Sequence, residues 1–212
     1  MPTLISNRKN YIFIHIPKCA GTSIAKYLNK YDNDSISIKL FNYITRRFGS
    51  KKNIFFHGPF LSFFNPKFIN DHETAYNLKK IIGEKKFERY FKFCFVRNPW
   101  ARSLSRYNYY IYHSKSKITF KEFLNKDFQP QLKRISDNSG NILVDFIGSF
   151  ENFDKDFQKI LNIIKIDYKK ENLMHINKTK FIDDYKKYYD EECFQIVDKK
   201  YAEDIKYFDY KF

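Results

Sequence analysis

Residues 15–24, which read His-Ile-Pro-Lys-Cys-Ala-Gly-Thr-Ser-Ile, have the composition of a phosphate-binding loop. An apolar run ends at Pro17, small residues follow, and a helix is predicted from Ser23. Small side chains let backbone N–H groups approach an oxyanion, and a helix N-terminus adds unpaired donors and a partial positive charge. Lys18 adds a mobile cation, and Thr22 and Ser23 add hydroxyl groups. These residue types predict that the loop binds an anion.

A second basic segment follows the apolar run at residues 91–96. Arg97 comes directly after this run, where a guanidinium can bind a phosphate through two hydrogen bonds. Ser105 lies eight residues further on, within a predicted helix. Arg102 and Arg106 are i,i+4 neighbours and therefore share one face of that helix. The segment predicts a second anion site.

The position of the lysine separates the first loop from Walker-type nucleotide loops. A Walker A motif places its lysine directly before Ser or Thr. Here Lys18 precedes the small residues instead. This order of residues disfavours a Walker-type kinase or NTPase. A small-molecule kinase is nevertheless the first alternative function, because it also binds phosphate groups.

The elements that must position both segments indicate an α/β fold. Strands are predicted at residues 11–16, 54–56 and 91–96, and helices at 23–29, 71–82, 99–112, 120–124, 153–164 and 190–201. Strands separated by helices indicate a central parallel sheet flanked by helices, and such sheets bind ligands at the carboxyl ends of their strands. Both basic segments follow predicted strand ends. We expect a single domain over residues 1–212, with its core at about 11–212 and a mainly helical C-terminal half.

The charge of the chain agrees with an anionic ligand but has a second explanation. The chain carries 39 basic and 24 acidic residues, and residues 1–100 hold 18 of the basic and 6 of the acidic ones. Lysine outnumbers arginine 31 to 8, so a biased composition accounts for the excess equally well. A basic single-stranded nucleic-acid binder is the second alternative function. No Lys/Arg block, RNP-like motif or zinc-ligand spacing supports it, so we expect no nucleic-acid partner.

The three cysteines, Cys19, Cys94 and Cys193, are an odd number and do not form a disulfide framework. No apolar run reaches the ~18 residues of a membrane helix, and the first ten residues are polar, unlike a signal peptide. We therefore expect a cytoplasmic protein without a transmembrane segment. No metal-binding motif is present, and we expect no metal.

Together the two basic segments resemble the cofactor signatures of sulfotransferases that use 3′-phosphoadenosine 5′-phosphosulfate (PAPS). Residues 15–24 resemble the loop for the 5′-phosphosulfate, and residues 95–105 resemble the segment for the 3′-phosphate. The resemblance is closest to the carbohydrate (family 2) sulfotransferases, including bacterial members. It extends over roughly residues 11–212, through residues 72–75, 147–153, 175–179 and 188–212.

This resemblance implies a P-loop-like sulfotransferase architecture, related to that of nucleotide kinases. It also implies PAPS as the donor, the 3′,5′-bisphosphate PAP as the product, and a hydroxyl acceptor that we expect on a carbohydrate or glycolipid. The cofactor-binding residues expected on these grounds are Lys18, Cys19, Ala20, Gly21, Thr22, Ser23, Arg97, Ser105 and Lys178.

The expected catalytic residues are a lysine and a histidine. Lys18 is assigned to the leaving-group oxygen, which gains charge as the sulfuryl group departs. His72 is the first choice for the base because it opens a predicted helix and matches a His-x-Thr-Ala feature of bacterial relatives. His57, in a His-Gly turn, is the second choice, and Glu73 stays open as a carboxylate base. His15, beside Lys18, is expected to line the site.

Overall fold

The computed structural model describes residues 3–31, 73–126, 128–169 and 184–212. The predicted strand at residues 54–56 and the first residues of the predicted helix at 71–82 lie outside these ranges.

A four-stranded sheet forms the centre of the described part of the chain. Its strands β1 (Leu4–Ser6), β2 (Tyr11–Ile14), β3 (Phe91–Val96) and β4 (Phe146–Ser149) lie side by side in chain order. β2, β3 and β4 are parallel, as predicted, whereas β1 pairs antiparallel with β2. The sheet is therefore mixed, because a connection as short as that between Ser6 and Tyr11 can join only antiparallel strands.

Helices account for most of the remaining described residues. They are α1 (Gly21–Tyr31), α2 (Ala75–Ile82), α3 (Glu84–Arg89), α4 (Pro99–Ser114), α5 (Phe120–Leu124), α6 (Leu132–Ile135), α7 (Phe153–Ile163), α8 (Glu191–Lys200) and α9 (Ala202–Tyr207), with a 3₁₀ turn at Tyr185–Tyr188. The sequence predicted α1, α4, α5, α7 and α8 to within a few residues. It missed β1 and β4, which are only three and four residues long.

Aromatic residues of the two central strands form the middle of the core. All four residues of β2 are buried, and the rings of Phe13 and Phe93 stack with centroids 5.2 Å apart. Phe95 packs against Phe153 and Phe157 of α7, at 5.1 and 6.3 Å. Burying each such side chain contributes about 1.5–3 kcal/mol. The core thus fixes β2 and β3 against each other and against α7.

Strand register brings three connections to one edge of the sheet. Ile14 of β2 pairs with Cys94 of β3, and Val96 of β3 pairs with Ser149 of β4. The chain therefore leaves β2, β3 and β4 on the same side. Both segments predicted to bind anions begin at this edge.

The C-terminal helices pack beside α4 through a second aromatic cluster. Trp100 of α4 stacks on Phe194 of α8 with ring centroids 5.6 Å apart and planes 6° apart. Phe212 meets both rings edge-on, at 5.5 and 5.0 Å. The end of the chain is thereby held against the helix that follows Arg97.

Among the described residues, none of the helices combines the length and the apolar character that crossing a membrane requires.

Candidate functional site

The loop after β2 has a backbone suited to anion binding. Lys18 and Ala20 both adopt left-handed backbone conformations, with φ of 70° and 61°. These conformations cost non-glycine residues roughly 1 kcal/mol or more each. Backbone bonds hold the turn, because Cys19 N–H donates to Ile16 at 3.4 Å and Ser23 N–H donates to Ala20 at 2.9 Å. Left-handed residues in such turns direct neighbouring N–H groups into a concave surface, and α1 begins directly after it.

Gly21, the first residue of α1, lies directly against the ring of His15. A Cβ atom at this position would come within 2.0 Å of the His15 ring atoms Cδ2 and Nε2, so any larger residue forces the ring to move. His15 is buried, with 6% of its surface exposed. The histidine ring is therefore buried against the first residue of α1, and its place in the site lining stays a prediction.

The carboxamide of Gln131 fixes the backbone of Arg97 where β3 ends. Gln131 is fully buried. Its Oε1 accepts a hydrogen bond from Arg97 N–H at 2.9 Å, and its Nε2 donates to the Arg97 carbonyl at 2.8 Å. A side-chain amide offers the same donor and acceptor as a peptide group. Gln131 thus extends the hydrogen bonding of the sheet one residue beyond β3.

Gln131 also connects Arg97 to α9 and to the loop between β2 and α1. This loop, residues 15–20, is named the phosphate loop after the anion binding that its sequence predicts. Its Oε1 accepts a second hydrogen bond from the Cys19 thiol at 3.3 Å. The backbone N–H groups of Gln131 and Leu132 each donate to the carboxylate of Asp204 at 2.8 Å. Burial raises the pKa of Asp204, and the two N–H donors oppose that shift. Three separate segments of the chain therefore meet at one buried glutamine.

One face of α4 lies against the phosphate loop. Arg102 is only 1% exposed, and its Nε donates to the Pro17 carbonyl at 3.2 Å. Ser105, one turn further on, is half-buried. The guanidinium of Arg106 lies over the ring of Phe128, 3.9 Å from its centroid. The helix thereby brings the second basic segment into contact with the first.

The guanidinium of Arg97 reaches back to the phosphate loop. Its Nη1 donates to the Lys18 carbonyl at 3.4 Å, and the group lies over the Phe150 ring at 4.2 Å. Among the described residues, the buried Arg97 Nε and the buried Arg102 Nη2 have no hydrogen-bond partner. A buried donor left without an acceptor costs about 1–3 kcal/mol. A bound oxyanion can supply the missing acceptors.

Burial, together with neighbouring cations at Lys18 and Arg106, lowers several pKa values at this edge. Burial lowers the pKa of Lys18, and Arg97 and Arg106 lower it further. Burial also lowers the pKa of Arg97, and burial with the nearby Arg102 lowers the pKa of Arg106 to about 10. Each of these charges is therefore destabilised by its surroundings. An anion placed among them would relieve that repulsion.

Comparison with known proteins gives the family of this arrangement. A model of the sulfotransferase family matches residues 1–211. The chain belongs to the sulfotransferase family. Its members are sulfate-transferring enzymes, and the match confirms the resemblance to family 2 sulfotransferases.

One relative is similar to part of the chain. An uncharacterised protein of Archaeoglobus fulgidus is 35% identical to the sulfotransferase over 96 residues, which are 42% of this chain and 80% of the relative. No solved structure matches the chain.

The structure of the sulfotransferase brings together most of the residues that the sequence singled out. Residues 18–23, Arg97 and the α4 segment with Ser105 lie at one sheet edge. His57, His72 and Lys178 lie outside the described residues. Glu73 is buried and accepts a hydrogen bond from the Asn77 amide at 3.1 Å.

The buried thiol of Cys19 supports the loop through its hydrogen bonds to the Pro17 carbonyl and to Gln131. Burial raises its pKa to about 11, so the thiolate is scarce near neutral pH. Its hydrogen bond to Gln131 uses the proton of the neutral thiol.

Within the described ranges, no cluster of three or more His, Cys, Asp or Glu side chains is arranged to hold a metal ion.

Three residues of the site escaped the sequence analysis. Gln131 lies in an irregular segment without hydrophobic periodicity, and Asp204 reads as an ordinary surface acid of a C-terminal helix. Tyr109 of α4 lies with its ring 4.4 Å from the Lys18 ammonium, and it is not part of either sequence motif. The sequence contains no local signal for Gln131 or Asp204, since both act through contacts across the fold.

We predict that Gln131→Leu destabilises the sulfotransferase by about 2–4 kcal/mol. The variant leaves the buried N–H and carbonyl of Arg97 without their partners, and each unsatisfied group costs about 1–3 kcal/mol. Urea unfolding measures the effect. The matched control is Gln195→Leu, because exposed Gln195 donates its side-chain amide to Glu191 on the surface of α8 and should change stability by under about 0.5 kcal/mol. Equal losses in both variants would contradict the structural role of Gln131.

Proposed function

We propose that the enzyme transfers a sulfuryl group from PAPS to a hydroxyl group of a carbohydrate or glycolipid. The observation that carries the proposal is the contact between the two basic segments, where Arg97 Nη1 donates to the Lys18 carbonyl. PAPS has two anionic ends, the 5′-phosphosulfate and the 3′-phosphate. Two cationic segments at one sheet edge match that pattern, and the two orphaned guanidinium nitrogens fit an anionic ligand.

The loop after β2 is suited to the 5′-phosphosulfate. Backbone N–H groups of residues 20–23 and the hydroxyls of Thr22 and Ser23 lie at the N-terminus of α1, where the helix dipole favours negative charge. Cys19 keeps the turn in place from below through its contact with Gln131.

Arg97 and Ser105 are suited to the 3′-phosphate. Gln131 fixes the backbone of Arg97, so the guanidinium begins from a defined position at the end of β3. Ser105 lies on the α4 face that also carries Arg102, whose Nε contacts Pro17 of the first loop. Lys178, from outside the described residues, is proposed as a further contact with the donor.

Lys18 is proposed as the residue that stabilises the leaving group. PAPS supplies an activated sulfuryl group whose departure leaves negative charge on a phosphate oxygen. The Lys18 ammonium would neutralise that oxygen, and its flexible stem lets the charge move toward it. His72 is proposed to remove the proton of the acceptor hydroxyl, with His57 and Glu73 as the alternatives.

Ligand binding tests the cofactor assignment. We predict that PAP, the 3′,5′-bisphosphate product, stabilises the protein well above ATP, ADP or AMP, because only PAP fills both anion sites. A ligand concentration 100 times Kd gives about 2.7 kcal/mol of stabilisation. Thermal-shift measurements at equal nucleotide concentrations make the comparison, with a short single-stranded oligonucleotide as a further arm. Equal stabilisation by ATP would favour a kinase, and stabilisation only by the oligonucleotide would favour nucleic-acid binding.

Two substitutions separate donor binding from transfer. We predict that Arg97→Ala weakens PAP binding by about 1.5–3 kcal/mol, because it removes charge-assisted hydrogen bonds. Lys18→Ala should lower kcat more than donor affinity, because its partner oxygen gains charge only in the transition state. Calorimetry with PAP and turnover of PAPS on carbohydrate acceptors supply the two readouts.

Matched surface variants control for loss of charge in these experiments. Arg89→Ala and Lys26→Ala each remove one exposed cation outside the site and should leave both measurements unchanged. The assigned roles are wrong if Lys18→Ala preserves kcat and raises only the KM for PAPS.

Single substitutions of the candidate histidines test which residue is the base. We predict that His72→Ala lowers kcat by about 10²–10⁴, the usual contribution of general-base catalysis, and leaves PAP affinity unchanged. Lys26→Ala is the control, because Lys26 is an exposed residue outside the site. If His57→Ala causes the loss and His72→Ala does not, the role belongs to His57. If neither does, Glu73 is the remaining candidate.

A further inference from the structure

The ammonium group of Lys18 lies over an aromatic ring of α4. Its Nζ is 4.4 Å from the centroid of the Tyr109 ring, within the ~6 Å range of cation–π attraction. Tyr109 follows Ser105 by one helical turn on the face of α4 that meets the phosphate loop. The contact therefore joins the loop after β2 to the helix that carries the second basic segment.

A cation–π contact at this position stabilises the protonated form of the Lys18 amine. The charged or titratable groups that act on Lys18 are Arg97 at the end of β3, Arg106 on α4 and the buried Cys19 thiol of its own loop. Both arginines repel the ammonium, partial burial disfavours it further, and the thiol is uncharged at neutral pH because its pKa is about 11. The electron-rich face of Tyr109 attracts the protonated amine.

The exposure of Tyr109 argues against a role in core packing. More than half of its surface, 54%, is exposed, and its other described ring neighbour is His113, at 4.1 Å. Other lysine–tyrosine contacts of the described residues are closer in sequence. Lys80 and Tyr76 meet within α2 at 3.9 Å, and Lys126 and Tyr110 meet at 4.4 Å across 16 residues. The Lys18–Tyr109 contact instead connects two segments that are distant in sequence.

We propose that Tyr109 is a positioning residue for Lys18, and that its ring holds the ammonium protonated at the edge of the phosphate loop until the donor binds. The ring face, rather than the phenol hydroxyl, performs this role. The catalytic consequence rests on the proposed function, in which a protonated Lys18 neutralises the leaving group. The effect on Lys18 itself is independent of any reaction.

Competitive labelling of lysines with trace acetic anhydride, read by peptide mass spectrometry across pH 7–11, tests the proposal without an acceptor. We expect Tyr109→Leu to lower the pKa of Lys18 by about 0.4–0.7, equivalent to the ~0.5–1 kcal/mol of an exposed cation–π contact. Labelling of Lys18 at pH 8 should then rise about 2.5- to 5-fold. Leucine is used because it keeps apolar cover over the amine.

Two further variants isolate the ring face. Tyr109→Phe keeps the ring and should label like the wild type. Tyr112→Leu removes a tyrosine of the same helix that is 80% exposed and whose ring lies 5.0 Å from that of His113. This variant should also label like the wild type. An unchanged or higher pKa of Lys18 in Tyr109→Leu overturns the proposal. So does a shift of equal size in Tyr109→Phe.

Labelling Lys18 in the presence of PAP distinguishes failure of this inference from failure of the proposed function. Protection of Lys18 from labelling by saturating PAP is expected if the loop binds the donor. If PAP gives no protection while Tyr109→Leu still shifts the pKa, the cofactor assignment fails and the contact between Lys18 and Tyr109 stands. If PAP protects while no variant shifts the pKa, the cofactor assignment stands and the role of Tyr109 is overturned.

Discussion

The hydrogen bonds of the buried Gln131 side chain hold the site of this sulfotransferase together. One carboxamide satisfies both backbone groups of Arg97 and accepts the Cys19 thiol, while the backbone of the same residue is bound by Asp204. A buried amide with all its partners is rigid, because moving any one of them leaves a polar group unsatisfied. The two segments that we propose to bind the donor are therefore held at a fixed separation by these bonds.

This rigidity maintains a concentration of positive charge that is unfavourable by itself. Lys18, Arg97 and Arg106 all have lowered pKa values, each mainly because of burial. A folded protein tolerates such a cluster when core packing elsewhere offsets the cost, here the aromatic stacking of β2 and β3. The same unfavourable charge would favour binding of the doubly anionic donor that we propose, since a bound anion would reduce the repulsion and supply acceptors for the unpartnered guanidinium nitrogens.

The C-terminal helices belong to the site as much as the sheet does. Asp204 of α9 fixes Gln131, and Asn98, which caps the start of α4, donates its side-chain amide to the Lys211 carbonyl. Phe212 closes the aromatic cluster around Trp100. The end of the chain thus helps to hold the two basic segments in place, and it lies within the part of the chain that the family model matches.

The amino-acid sequence by itself determined the local features of the protein. Tyr11–Ile14 and Phe91–Val96 read as buried strands from unbroken apolar runs, and Lys18 through Ser23 read as an anion loop from small residues ahead of a helix. These properties reside in contiguous residues, where backbone preference and hydrophobic periodicity act. The family followed from the two motifs and their order, and the comparison confirmed it.

Only the tertiary structure decided how those parts meet. The antiparallel β1 and the four-residue β4 are too short for a periodic signal, and the antiparallel pairing of β1 with β2 makes the sheet mixed. Gln131, Asp204 and Tyr109 enter the site through contacts between segments far apart in the chain. Such contacts depend on strand register and helix packing, which arise from burial of the whole core. The sequence next to each residue therefore contains no pattern that predicts them.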